Sequence, residues 1–357
     1  MAAASDRLLA ATRKGLFTMV RSGGRWAVDK VDFAGVPVGA TVEDPRDGWR
    51  YVALNHGHFG TKLHRAGPGE SFEECAAPAF PKSDAEGPSL GAIWCLEIGP
   101  APGTLFAGAM PAALFRSDDR GASWCMNESL WALPGRPDWF GGGWDEPVLH
   151  SILRNDQAPG RITVAISCGG VWVSEDDGAS WTASKGMIAP YVPVERAEDP
   201  NMQDPHRIAQ CRERPQRLWA QHHFGLYRSD DGGRSWQRLP DPKPNGFGFP
   251  VAAHPSDPDT AWYVPEQADT ERIPAEGRMV VARTSDGGRS FELLSRGLPS
   301  EHAYDLVYRH GLAVDASGGR LALGSTTGGL WVSEDGAESW EGVPARLPPV
   351  YAVRFAP

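Results

Sequence analysis

Histidine and carboxylate side chains stand close together at several points of the sequence. These groups are Asp145, Glu146 and His150; Asp204 and His206; His222 and His223; and Asp305 and His310. Imidazoles and carboxylates that converge on one point bind divalent metals, with neighbouring acids orienting the rings. A metal held in this way polarises a carbonyl or generates hydroxide from water. Whether these groups meet depends on the fold.

An internal repeat organises the chain. Five stretches share an apolar strand followed by Ser/Thr-x-Asp-x-Gly-x-Ser-aromatic, at residues 114–124, 171–181, 226–236, 281–291 and 330–340. Two weaker copies at 16–26 and 63–72 bring the count to seven. A repeat of about 50 residues is typical of stacked or radial architectures.

Each repeat contains four short strand patterns, which predicts an all-β, seven-bladed β-propeller of four-stranded antiparallel blades. The chain starts with patterns of second, third and fourth strands, RLLAATR, GLFTMV and RWAVDKV, and ends with a first strand, VYAVRFAP. We therefore expect the C-terminal strand to complete blade 1 and to leave no open sheet edge. Residues 1–357 are predicted to form a single propeller domain.

Composition narrows the partners. The net charge is -10, and no basic run is present, so neither nucleic acid nor a membrane is expected to bind. No apolar run reaches the length of a membrane span, and the N-terminus lacks the pattern of a secretory signal. Five cysteines without CxxC spacing favour reduced thiols, and therefore a cytoplasmic location. Small molecules and proteins remain as partners.

The acidic turn of the repeat resembles the Asp-box, also called the bacterial neuraminidase repeat. The motif aspartates are Asp119, Asp176, Asp231, Asp286 and Asp335, and Ala337 replaces the expected glycine in the last copy. Propellers with this motif include sialidases, xyloglucan-degrading hydrolases, sortilin-like receptors and a photosystem assembly factor. The resemblance implies that these aspartates are structural and lie away from the substrate face.

The long connections are expected on the opposite face, where loops of a rigid scaffold carry binding and catalysis. Aligning the first strands of the blades gives one column of residues near the strand starts: Gly39, Trp94, His150, His206, Phe249, His310 and Tyr351. We expect this column to surround the channel mouth, with His222 and His223 beside it. The predicted metal ligands are His150, His206, His222 and His223, and the predicted acid/base groups are Glu146, Asp204, Asp305 and His310.

Aromatic side chains near the same mouth are predicted to bind the substrate. They are Trp94, Trp139, Trp144, Phe249 and Tyr351. Trp139 and Trp144 belong to the glycine-rich stretch PDWFGGGWDEP, which is interpreted either as a mobile lid or as a cover for the propeller.

Three interpretations of the histidines stay open: ligands of Zn, Mn, Fe or Ca, metal-free acid/base or binding groups, and structural side chains. The favoured function is a cytosolic hydrolase or lyase of a small polar substrate, sugar-like compounds included, without a nucleotide cofactor. The alternative is a propeller that binds a ligand or a protein without catalysis. A sialidase-type glycoside hydrolase is less favoured. Catalytic sialidases usually carry an Arg-Ile-Pro motif early in the chain, whereas Arg272-Ile273-Pro274 falls in blade 6 here.

Overall fold

A computed structural model describes residues 3–81, 87–143 and 145–356. These residues form seven four-stranded antiparallel sheets, the blades of a β-propeller. The only α-helix that they contain is α1 (Glu128–Trp131). None of their helices combines the length and apolar character that a membrane crossing requires.

The strands are numbered in chain order. Blade 1 contains β1 (Arg7–Thr12), β2 (Gly15–Ser22), β3 (Arg25–Asp32) and the C-terminal β28 (Val350–Phe355). Blade 2 contains β4 (Val38–Glu43), β5 (Arg50–Asn55), β6 (Thr61–Ala66) and β7 (Glu73–Cys75). Blade 3 contains β8 (Ala92–Ile98), β9 (Leu105–Met110), β10 (Leu114–Ser117) and β11 (Cys125–Met126). Blade 4 contains β12 (Leu149–Arg154), β13 (Ile162–Ile166), β14 (Gly170–Ser174) and β15 (Thr182–Ala183).

The remaining blades follow the same plan. Blade 5 contains β16 (Pro205–Gln210), β17 (Leu218–His222), β18 (Gly225–Ser229) and β19 (Gln237–Arg238). Blade 6 contains β20 (Gly248–Ala253), β21 (Ala261–Pro265), β22 (Val281–Thr284) and β23 (Glu292–Leu294). Blade 7 contains β24 (Leu312–Val314), β25 (Leu321–Gly324), β26 (Leu330–Ser333) and β27 (Glu341–Gly342). Single 3₁₀ turns occur at Gly57–Phe59, Arg136–Asp138, Val194–Arg196, Pro200–Met202 and Ala275–Gly277.

The C-terminal strand completes blade 1, as the sequence predicts. β28 pairs antiparallel with β1, where Ala10 lies opposite Val353. Val350 and Val353 are buried against side chains of blades 1 and 7, so this strand adds apolar contacts as well as backbone hydrogen bonds.

The chain groups into two compact units, one made of residues up to Gly35 and from Pro205 onward, the other of Val36–Asp204. In the first unit, apolar cores lie between blades 5 and 6, 6 and 7, and 7 and 1. In the second unit, cores lie between blades 2 and 3 and between blades 3 and 4. Within each unit, burial of apolar area between sheets is the main stabilising contribution.

The turns between third and fourth strands share one set of hydrogen bonds. In blade 5, Asp231 Oδ1 accepts from Ser229 Oγ at 2.8 Å and from the Ser235 N–H at 2.9 Å. The turns of Asp119, Asp176, Asp286 and Asp335 repeat these bonds. Ala337 adopts φ 79°, in the left-handed region that glycine occupies in the other four turns. The geometry accounts for these aspartates as turn-forming residues.

Candidate functional site

A β-bulge marks the predicted column in six blades. In the first strands of these blades, the pairing with the second strand skips the column residue. The skipped residues are Gly39, Trp94, His150, His206, Phe249 (with Pro250) and Tyr351. In blade 7, His310 precedes β24 and forms an isolated parallel bridge with Ala352. A bulge bends the strand and re-aims one side chain, which gives the column a physical basis.

His206 is held in one orientation by its surroundings. His206 is 3% exposed, and its Nδ1 lies 2.6 Å from the carbonyl oxygen of Gly248. Because a carbonyl only accepts, Nδ1 carries the proton, and the lone pair of the neutral ring is on Nε2. The ring also stacks on Phe249, with centroids 4.7 Å apart and planes 13° apart. Its Nε2 therefore has a fixed direction.

His223 follows β17 and lies beside His206. The two imidazole centroids are 5.2 Å apart with planes at 76°, and Phe247 packs edge-on against both rings. The Nε2 atom of His223 is 3.6 Å from Oδ2 of Asp269, which lies on the connection between β21 and β22. The His223 side chain is 24% exposed, so this position opens to solvent.

Asp204 completes a group of three potential ligands. One donor atom from each of Asp204, His206 and His223 lies within 4.8 Å of the other two. Asp204 and His206 flank Pro205 at the start of β16, so neighbouring chain positions determine their separation. The Asp204 side chain is buried, and its Oδ1 accepts the Cys168 N–H at 3.3 Å.

The glycine-rich stretch predicted as a lid or cover approaches the same carboxylate. A Cβ built on Gly142 would lie 3.1 Å from Cys168 Sγ and 3.3 Å from Asp204 Oδ2. A glycine at this position therefore lets the backbone pack closely over Asp204.

The structure places the other predicted histidines differently. His150 is fully buried in β12, with Nδ1 2.9 Å from Ser151 Oγ. His222 is fully buried, and its Nδ1 accepts the Phe224 N–H at 3.2 Å within its own turn. The three-donor group assembled by the described residues contains His206 and His223 and neither of these two.

The remaining predicted acid/base groups are spread over the connections. Glu146 is exposed on the link before β12. Asp305 is half-buried, and its Oδ1 accepts hydrogen bonds from Ser325 at 2.7 Å and from Thr327. His310 is half-buried beside β28.

Two of the predicted aromatic residues, Trp139 and Phe249, are buried, and two others, Trp94 and Tyr351, are half-buried. Trp139 is 6% exposed, donates its indole N–H to Asn201 and packs at a tilt on Trp172, which are contacts of a covering side chain. Phe249 is buried against His206. Burial raises the pKa of Tyr351. Trp144 lies outside the described residues.

Sequence reasoning missed Glu266, a fully buried carboxyl directly after β21. Its Oε1 accepts the Val307 N–H at 3.1 Å, and its Oε2 has no hydrogen-bond partner among the described residues. Burial raises the pKa of Glu266 to about 8, and the charge of Asp305 adds to the rise, whereas the Val307 bond opposes it. A lone glutamate at the end of the apolar strand AWYVP is the signal that sequence reading had available.

Comparisons with known proteins support the fold. No protein-family model matches the chain, and no curated protein matches it. A GH74 xyloglucanase structure from Xanthomonas campestris is similar at TM-score 0.67 and 20% identity, over 95% of this chain and 52% of that one. Structures of YCF48 are similar as well: one bound to D1 peptide (TM-score 0.53, 15% identity, 87% of this chain and 82% of that one) and one from Cyanidioschyzon merolae (0.57, 13%, 88% and 87%). The chain spans about half of the xyloglucanase. At these identities the likeness establishes a propeller fold that serves both an enzyme and a peptide-binding protein.

Proposed function

We propose that this propeller is a hydrolase or lyase of a small polar substrate, with a divalent metal bound by Asp204, His206 and His223. The observation that carries the proposal is the convergence of these three donors within 4.8 Å. Three protein ligands leave a coordination position for water or substrate, as in catalytic rather than structural metal sites.

The donor spacing fits this role after a small adjustment. Tetrahedral bonds of about 2.0–2.1 Å place ligand atoms roughly 3.3 Å apart. The distances between the three donor atoms, which are at most 4.8 Å, must therefore shorten by up to about 1.5 Å when a metal binds. His223 is the more exposed of the two histidines, whereas the Gly248 carbonyl and Phe249 hold His206.

The surrounding groups match the needs of a metal site. The Gly248 carbonyl sets the tautomer of His206, and Asp269 lies where it would orient His223. Two imidazoles and one carboxylate suit zinc or iron better than calcium, which prefers oxygen ligands. A bound metal would act as a Lewis acid on a carbonyl or lower the pKa of water.

Elemental mass spectrometry of tag-free protein tests the proposal. After incubation with zinc, iron or manganese and desalting, we expect about one metal per chain, lost in His206→Gln and in His223→Gln. His58→Gln is the matched control, because His58 is an exposed histidine whose ring packs edge-on against Phe59. Absence of metal in the wild type, or equal loss in His58→Gln, would overturn the metal assignment. Selective iron uptake would redirect the reaction class from hydrolysis towards redox chemistry, because this donor set also occurs in iron oxygenases.

The alternative function is binding without catalysis. The structure of YCF48 bound to D1 peptide, a propeller of similar fold, favours this alternative. A metal-free protein that captures a ligand without turning it over would support this alternative.

The proposed location is cytoplasmic, because five cysteines without CxxC spacing favour reduced thiols. Fractionation of cells that produce the native chain tests this location.

A further inference from the structure

Two arginines converge on the aromatic ring that stacks against His206. The guanidinium carbons of Arg272 and Arg309 lie 5.7 and 5.8 Å from the centroid of Phe249. Arg272 comes from the connection between β21 and β22, and Arg309 from the link before β24. Two loops from different blades therefore each place a guanidinium group against Phe249, the ring that stacks on His206.

Phe249 relates these cations to the proposed metal ligands. The His206 centroid is 4.7 Å from the Phe249 centroid, so each guanidinium carbon lies within about 11 Å of the imidazole centre. Asp269 connects Arg272 to the other imidazole, because its backbone oxygen accepts from Arg272 and its Oδ2 lies 3.6 Å from His223 Nε2. An anionic group at Arg272 and a reacting group at the imidazoles are therefore within the span of one small molecule.

The charges near Arg272 leave it able to take a ligand. Arg272 is exposed, its Nε donates to the backbone oxygen of Asp269 at 3.1 Å, and no carboxylate among the described residues lies within ion-pair distance of it. This bond orients the guanidinium group and leaves its terminal nitrogens as donors. A cationic side chain without a carboxylate partner, in a chain of net charge -10, favours a local anion.

We infer that Arg272 and Arg309 bind an anionic group of the substrate, a carboxylate or a phosphate, next to His206 and His223. The planar donors of arginine match the oxygens of both anions and form charge-assisted hydrogen bonds with them. The inference rests on the proposed function, since it names the substrate class of that site.

Calorimetric titration of the chelator-treated protein at constant chloride concentration tests the inference without a metal. The probes are inorganic phosphate and malonate, and malonamide is the uncharged match for malonate. We expect one or both anions to bind and malonamide not to bind. Arg272→Gln and Arg309→Gln should each weaken anion binding about 10- to 100-fold, the range for a lost charged hydrogen bond. Arg278→Gln is the control, because Arg278 is exposed on the same connection but pairs with Glu276.

The outcomes separate this inference from the proposed metal site. Binding of malonate alone assigns a carboxylate substrate, and binding of phosphate alone assigns a phosphorylated one. Failure of both anions to bind, or equal weakening in Arg278→Gln, overturns the inference. Metal content is measured on the same variants. Loss of anion binding with normal metal uptake would show that the substitution affects the anion site and leaves the metal site intact.

Discussion

Replacing Glu266 by glutamine should remove most of a pH-dependent loss of stability between pH 5 and 9. The carboxyl is fully buried, with a pKa of about 8 against 4.5 for a glutamate in water. Between these values the native protein holds a proton that the unfolded chain has released. Stability therefore falls as the pH rises through this window and levels off above pH 8.

The magnitude follows from the two pKa values. Each pKa unit of difference between the native and unfolded states is worth about 1.36 kcal/mol. Relative to low pH, where Glu266 is protonated in both states, its titration lowers the free energy of unfolding by about 1 kcal/mol at pH 5 and by nearly 5 kcal/mol at pH 9. The wild type should thus lose about 4 kcal/mol over this range relative to Glu266→Gln. The glutamine oxygen can still accept the Val307 N–H, so the variant keeps the hydrogen bond of Oε1.

Urea unfolding at pH 5, 6, 7, 8 and 9, followed by tryptophan fluorescence, measures this difference. The matched control is Glu271→Gln, which changes an exposed glutamate on the same connection and should follow the wild type. Parallel stability curves for wild type and Glu266→Gln would refute the reasoning. They would mean that water or a cation stabilises the ionised carboxylate.

Three further changes test the fold and the site. Asp231→Ala should lower the free energy of unfolding by about 2–3 kcal/mol, because three hydrogen bonds that Asp231 accepts are lost. Urea unfolding measures this loss, and elemental analysis should show an unchanged metal content. Gly142→Ala should displace Asp204 and weaken metal binding several-fold in a competition titration with a chromophoric chelator, whereas unchanged affinity would contradict the close approach. Deletion of residues 350–357 should abolish the cooperative thermal transition seen by circular dichroism, because β1 loses its partner; a retained transition would contradict this expectation.

Much of the fold was predictable from the sequence because it depends on local, repeated patterns. Seven copies of one spacing predicted seven blades, and the mismatch between the first and last strand patterns predicted that β28 completes blade 1. The column containing His206 and Phe249 was also readable, since equivalent strands carry equivalent positions.

The tertiary structure alone decided which of these side chains meet. His222 and His223 are adjacent in sequence, but the turn after β17 directs His222 to the Phe224 N–H and brings His223 beside His206. Successive side chains at a strand end point to opposite faces of the sheet. The spacing of the two histidines does not specify which of them lies beside His206. The raised pKa of Glu266 likewise depends on burial by distant segments, which the sequence at residue 266 does not encode. The sequence determined the repeat and its closure, and long-range packing determined the chemistry available at the connections.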